Sequence, residues 1–106
     1  MSEGSELHKV LIDVGKRFCE ISPGDLFVHA GDSVVFVNET GARVLLLFGN
    51  RALFDREQIE IKAGGSSDPL TVGRIPPPRS FQYAVYSDQT GAFGVGGSSP
   101  RIILNQ

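Results

Sequence analysis

The chain carries a single cysteine, Cys19, so no disulfide can form within it and cysteine usage gives no sign of an oxidising compartment. Long apolar runs are missing as well. The longest, Val44 to Phe48, falls far short of a bilayer span, which argues against membrane insertion. The opening stretch, Met1 to His8, has neither the basic start nor the apolar core of a secretory leader. The expectation is a cytoplasmic protein, or a periplasmic or secreted one if a leader has been trimmed ahead of Met1. Charge of one sign is also scarce. Ten Lys and Arg against twelve Asp and Glu leave a formal charge of −2, with no basic cluster, which argues against a nucleic-acid partner.

What is present is an ordinary globular composition. The 106 residues are 41% hydrophobic and 21% charged, which suits one domain over residues 1–106, with 1–8 as a flexible lead-in. Strand signals dominate: Val10 to Val14, Phe18 to Ile21, Leu26 to His29 and Val34 to Val37, with turn cues at Pro23-Gly24-Asp25 and Gly31-Asp32. Arg43 to Phe48 is nearly solid apolar, as in a strand buried on both faces. Ile59 and Ile61 alternate with charged residues, Leu70 to Val72 is a short candidate, Phe81 to Tyr86 alternates strongly, and Pro100 to Leu104 closes the chain. The pattern predicts an all-β sandwich or barrel of about seven or eight strands. A helix fits only between Ala52 and Gln58, about two turns at most.

The segment Pro23-Gly-Asp-Leu26-Phe-Val28-His-Ala-Gly31-Asp32-Ser-Val34-Val-Phe36-Val-Asn38 carries a more specific signal. Pro23, Leu26, Val28, Gly31, Asp32, Val34, Phe36 and Asn38 fit, without a gap, the second-to-third strand pattern of the cupredoxins. The chain resembles that blue-copper family over nearly its whole length, and the resemblance implies a Greek-key β-sandwich. It also implies where copper ligands belong. The first copper His position falls on Val44, or on Arg43 if the loop is one residue shorter. From Tyr83 to Gly96 the family frame puts Ser87 at the Cys position, Thr90 at the second His and Val95 at the Met.

A blue-copper centre needs a thiolate, two imidazoles and a weak axial group. A Ser hydroxyl does not ionise as a thiol does, Thr offers a weak neutral oxygen, and Val has no donor. The electron-transfer role implied by the resemblance therefore does not carry over, and no copper or other cofactor is expected at Val44, Ser87, Thr90 and Val95.

Other constellations compete with plainer readings. His8, Cys19 and His29, with Asp13 or Glu20, could form a relocated copper site if their segments converge; buried Cys and surface His are the plain alternative. Cys19 and His29 as a nucleophile and base lack an orienting acid. Asp13 and Glu20 sit on alternating strands facing solvent, which does not suit a glycosidase pair. Gly94-Val-Gly96-Gly97-Ser-Ser99 lacks the Lys and the following helix of a phosphate loop. No enzyme activity is expected.

The resulting expectation is a copper-free, cupredoxin-like module that binds another protein, or a second copy of itself, or serves as a scaffold. Its interaction surface would comprise Phe93 and Val95 on a Gly-flanked loop, with the rigid Pro76, Pro77 and Pro78 nearby. The alternative is the metalloprotein built on His8, Cys19 and His29. A weaker one is a small-molecule or carbohydrate binder using the end loops.

Overall fold

Strict alternation from Ser33 to Asn38 places one strand at the centre of the architecture. In the computed structural model, this strand, β4 (Ser33–Asn38), points Val34, Phe36 and Asn38 inward and leaves Ser33, Val35 and Val37 half-buried on the other face. The described residues are 6–14, 19–49, 51–75, 79–87, 92–93 and 100–104, with backbone alone for 14, 19, 92 and 93. β1 (Leu7–Val14) runs parallel to β4, in register from Leu7↔Ser33 to Ile12↔Asn38. β2 (Cys19–Ser22) pairs antiparallel with the outer side of β1, and β7 (Leu70–Thr71) adds to the other side of β4. The sheet order is β2-β1-β4-β7.

A second sheet is centred on β5 (Val44–Leu47), flanked by β6 (Gln58–Ile61) and β9 (Ala84–Ser87), with β10 (Ala92–Phe93) beyond β9. A three-stranded sheet places β11 (Arg101–Leu104) between β3 (Asp25–Val28), parallel, and β8 (Arg79–Gln82), antiparallel. The inward residues of these sheets form one hydrophobic core that includes Val10, Ile12, Val28, Val34, Phe36, Val44, Leu46, Val85 and Ile102. The all-β sandwich expected from the sequence is the observed architecture.

Aromatic rings fill the middle of that core. Phe36 meets Phe48, Phe54 and Tyr83 at ring-centroid distances of 5.9, 6.2 and 5.7 Å, tilted or edge-to-face, the geometries that aromatic quadrupoles favour. Phe54 comes from the short helix α1 (Arg51–Phe54), which buries Leu53 and Phe54. Burial of side chains of this size contributes about 1.5–3 kcal/mol each.

Several local expectations need correction. β1 starts at Leu7, so Leu7 and His8, assigned above to a flexible lead-in, belong to a strand, because β4 offers a parallel partner from Ser33 onward. The helix is a single turn rather than one reaching Gln58. Asp55 takes a left-handed φ of 62° and its amide closes on Arg51 O at 2.7 Å, so the helix cannot propagate before β6. β5 is buried on one face and half-buried on the other, since Leu45 and Leu47 face away from the core. The alternating Phe81 to Tyr86 run is two strands in different sheets, broken at Tyr83, whose amide bonds Pro100 O at 3.1 Å. That break, with the two-residue strands β7 and β10, brings the strands among the described residues to eleven.

Gly73, two residues beyond β7, packs directly against the helix backbone. Its amide donates to Leu53 O at 2.7 Å, and a Cβ there would collide with the Ala52 carbonyl oxygen, a backbone atom that cannot step aside. Gly73→Ala should lower stability by about 1–3 kcal/mol in urea unfolding. Gly24→Ala, where a Cβ meets nothing within 4 Å, should change it by no more than about 0.5 kcal/mol.

Candidate functional site

Each end of β4 carries a buried polar side chain, Asp32 before it and Asn38 at its last position. At the C-terminal end, Asn38 is almost fully buried and organises the loop into β5. Its Nδ2 donates toward Ala42 O at 2.8 Å, Lys62 O at 3.0 Å and Ile61 O at 3.1 Å. Its Oδ1 accepts from the Thr40 amide at 2.9 Å and lies 2.7 Å from the Thr40 hydroxyl. This loop delivers Val44, which has no exposed surface and sits directly across the β5–β9 ladder from Ser87, also fully buried. Of the four positions that the family frame assigned to copper ligands, the structure thus brings Val44 and Ser87 together. Thr90 and Val95 lie outside the described residues, as do Pro76, Pro77 and Pro78. Phe93 is placed by its backbone, opposite Tyr86, and its side chain also lies outside them.

Neither Val44 nor Ser87 is a residue type that a blue-copper centre uses as a ligand. Val44 has no lone pair to give, and the Ser87 hydroxyl stays protonated near neutrality and lacks sulfur.

At the N-terminal end of β4 the chemistry is richer. Asp32 follows Gly31, whose φ of 92° is a conformation that a residue without Cβ adopts freely. The Asp32 carboxylate is buried, and each oxygen is held. Oδ1 accepts from the Glu6 amide at 3.1 Å; Oδ2 accepts from the His29 amide at 2.9 Å and lies 2.8 Å from His8 Nε2. An ionised carboxylate only accepts, so Nε2 carries the shared proton. Glu6 Oε1 approaches His8 Nε2 at 3.7 Å, and His29 Nδ1 approaches Asp32 Oδ2 at 3.9 Å. Burial alone would raise the Asp32 pKa. The bonds from His8 and from the His29 and Glu6 amides outweigh it, and the net displacement is below the usual carboxylate value.

The gathering of His8, Cys19 and His29 that the alternative reading required is only half realised. Both histidines come to Asp32, but Cys19 pairs with Val14, six residues along β1 from His8 and so about 20 Å away. The signal missed in the sequence was Asp32 itself. A Gly-Asp turn reads as a strand connection, and nothing local tells that its carboxylate turns inward to meet an N-terminal strand. Asp13 and Glu20, cross-strand partners on β1 and β2, are both exposed, as expected.

One further polar atom stands out. The Tyr83 hydroxyl is buried with no hydrogen-bond partner among the described residues, and burial pushes its pKa up. It adjoins a shallow depression of about 330 Å³ lined by Leu47, Phe48, Gly49, Gln82 and Ala84. No helix among the described residues is long and apolar enough to cross a membrane.

No protein-family model and no curated protein sequence matches the chain. Solved structures do. A reduced Cu(I) form of an amicyanin variant at pH 4 superposes with a TM-score of 0.58 at 14% identity, covering 99% of this chain and 86% of that one. A second reduced amicyanin variant gives 0.58, and a Cu(I) form of a third gives 0.56, at the same identity and coverage. Amicyanin is a cupredoxin, so the chain has the cupredoxin-like fold.

The Asp32 network generates a pH prediction with a definite sign. A carboxylate whose folded pKa lies below its unfolded value stabilises the fold fully above that unfolded value, and the contribution disappears as pH falls through the folded one. Melting temperature should therefore drop on acidification below about pH 4.5. Asp32→Asn should cost about 1.5–3 kcal/mol at neutral pH and flatten that acid limb, measured by thermal unfolding across a pH series.

Proposed function

We propose that this chain is a copper-free cupredoxin-fold domain that works by binding another protein rather than by electron transfer or catalysis. The observation that carries the reading is the Val44–Ser87 pair. Two positions that the family frame reserves for an imidazole and a thiolate are cross-strand neighbours, both sealed from solvent and both without a suitable donor. Apolar volume at Val44 restores the packing that an empty cage would forfeit. The ligand end is then ordinary interior, and what remains available to a partner is surface.

Two features support a protein partner. Phe27 is 57% exposed on β3, and β3 is paired on one side only, with β11, among the described residues. An exposed aromatic on an open strand edge offers both an anchor and backbone groups for an added strand. Phe93 and Val95, with Pro76, Pro77 and Pro78, are the second candidate surface on the sequence pattern alone.

The copper-free reading is tested by gain of function. Wild-type protein titrated with Cu(I) and then oxidised should develop no intense thiolate-to-copper absorption. The combined substitution Val44→His, Ser87→Cys, Thr90→His and Val95→Met should produce it. A blue wild-type protein sinks the reading.

The partner is tested separately, by affinity purification from the native host. Phe27→Ser should abolish capture of any specific partner held at the β3 edge while shifting stability by no more than about 0.5 kcal/mol. Loss with Phe93→Ala instead assigns capture to the loop. Loss with neither removes both surfaces from the proposal.

A further inference from the structure

The cluster around Asp32 has a geometry that a hydrogen-bonded pair alone does not require. One ligand atom each from Glu6, His8 and Asp32 lies within 4.8 Å of the other two, and His29, outside that trio, approaches Asp32 alone. His8 Nε2 lies 2.8 Å from Asp32 Oδ2 and 3.7 Å from Glu6 Oε1, and His29 Nδ1 lies 3.9 Å from Asp32 Oδ2. A tetrahedral site with metal–ligand bonds of about 2.0–2.1 Å has ligand–ligand edges of about 3.3 Å, and the three observed spacings bracket that edge. From this we propose that Glu6, His8, His29 and Asp32 form a binding site for a first-row divalent cation of the zinc class, at the end of β4 opposite to Val44 and Ser87.

The donor set suits that class. Two imidazoles and two carboxylates match zinc and its neighbours, whereas calcium and magnesium favour oxygen alone. Burial divides the ligands into an inner and an outer pair. The Asp32 and His8 side chains are 3% and 15% exposed, while those of Glu6 and His29 are 73% and 64% exposed. The inner pair is already positioned by the fold, with His8 on β1 and Asp32 fixed through both oxygens. A bound cation takes the place of the proton now shared between Nε2 and Oδ2, and the exposed Glu6 and His29 side chains swing in to close the shell.

The outer support of such a site is also in place. The Glu6 and His29 amides hold the Asp32 carboxylate in orientation, the kind of second layer that tunes ligand affinity. Cys19 is excluded by position, opposite Val14 at the far end of β1. The site is thus sulfur-free. It stands at the other end of β4 from Val44 and Ser87, so its success or failure is independent of the copper-free reading.

The test uses the intact protein with Zn(II) and Co(II) as probes. Calorimetric titration with Zn(II) should give one site per chain with a dissociation constant in the micromolar range or tighter, and a rise in melting temperature that grows with Zn(II) concentration. Co(II) should show the strong visible d–d bands of tetrahedral coordination without a thiolate charge-transfer band. His8→Ala and His29→Ala should each weaken binding by about 10-fold or more. Cys19→Ser should leave it unchanged. His29 is exposed, so its variant tests the site without threatening the fold. Absence of Zn(II) binding up to millimolar concentration would overturn the proposal. So would wild-type affinity in His29→Ala and His8→Ala, or a cobalt–thiolate band abolished by Cys19→Ser.

Discussion

Burial of one polar side chain at each end of β4 constrains everything around it. A buried polar group left without partners costs far more than a satisfied one returns, so Asp32 and Asn38 must each be surrounded by matching donors or acceptors. Asp32 meets this need by drawing in the amides of Glu6 and His29 and the His8 ring, which fixes the start of β1 and the β3–β4 turn. Asn38 meets it through Thr40, Ala42, Ile61 and Lys62, which fixes the entry to β5 and the exit from β6. The sheet register follows, because the parallel β1–β4 ladder runs from the first anchor to the second.

Between the anchors the interior is almost wholly apolar, with Phe36 at its middle and rings from Phe48, Phe54 and Tyr83 around it. A core of this kind tolerates wide substitution provided volume and inward–outward pattern are kept. That tolerance accounts for a shared architecture with amicyanin at 14% identity. It also explains how ligand positions can change without loss of the fold. Val44 on β5 and Ser87 on β9 occupy inward sites that the ladder presents whatever the side chain.

The two ends of the sandwich have thereby diverged in character. At the Asn38 end, the hydrogen bonds of Asn38 serve backbone groups of the loop and of β6. At the Asp32 end, imidazoles and carboxylates converge with part of their surface in water. The scaffold itself imposes neither outcome.

Strand content was legible in the sequence because side chains alternate with a period of two and Gly and Pro mark the turns. Pro23 to Asn38 indicated the family of folds directly, and the absence of a thiolate at Ser87 and an imidazole at Val44 needed no structure to read. Contacts between distant segments were not legible. That Phe81 to Tyr86 divides between two sheets depends on Pro100 capturing the Tyr83 amide. Likewise Leu7 becomes strand only because β4 lies beside it. Asp32 and His8 meet across 24 positions of sequence, and no local pattern encodes that pairing. Local residue order thus determined most of the strands and the residue types at each frame position. Tertiary packing alone decided which polar groups would be buried together, because burial belongs to the assembled interior and to no single segment.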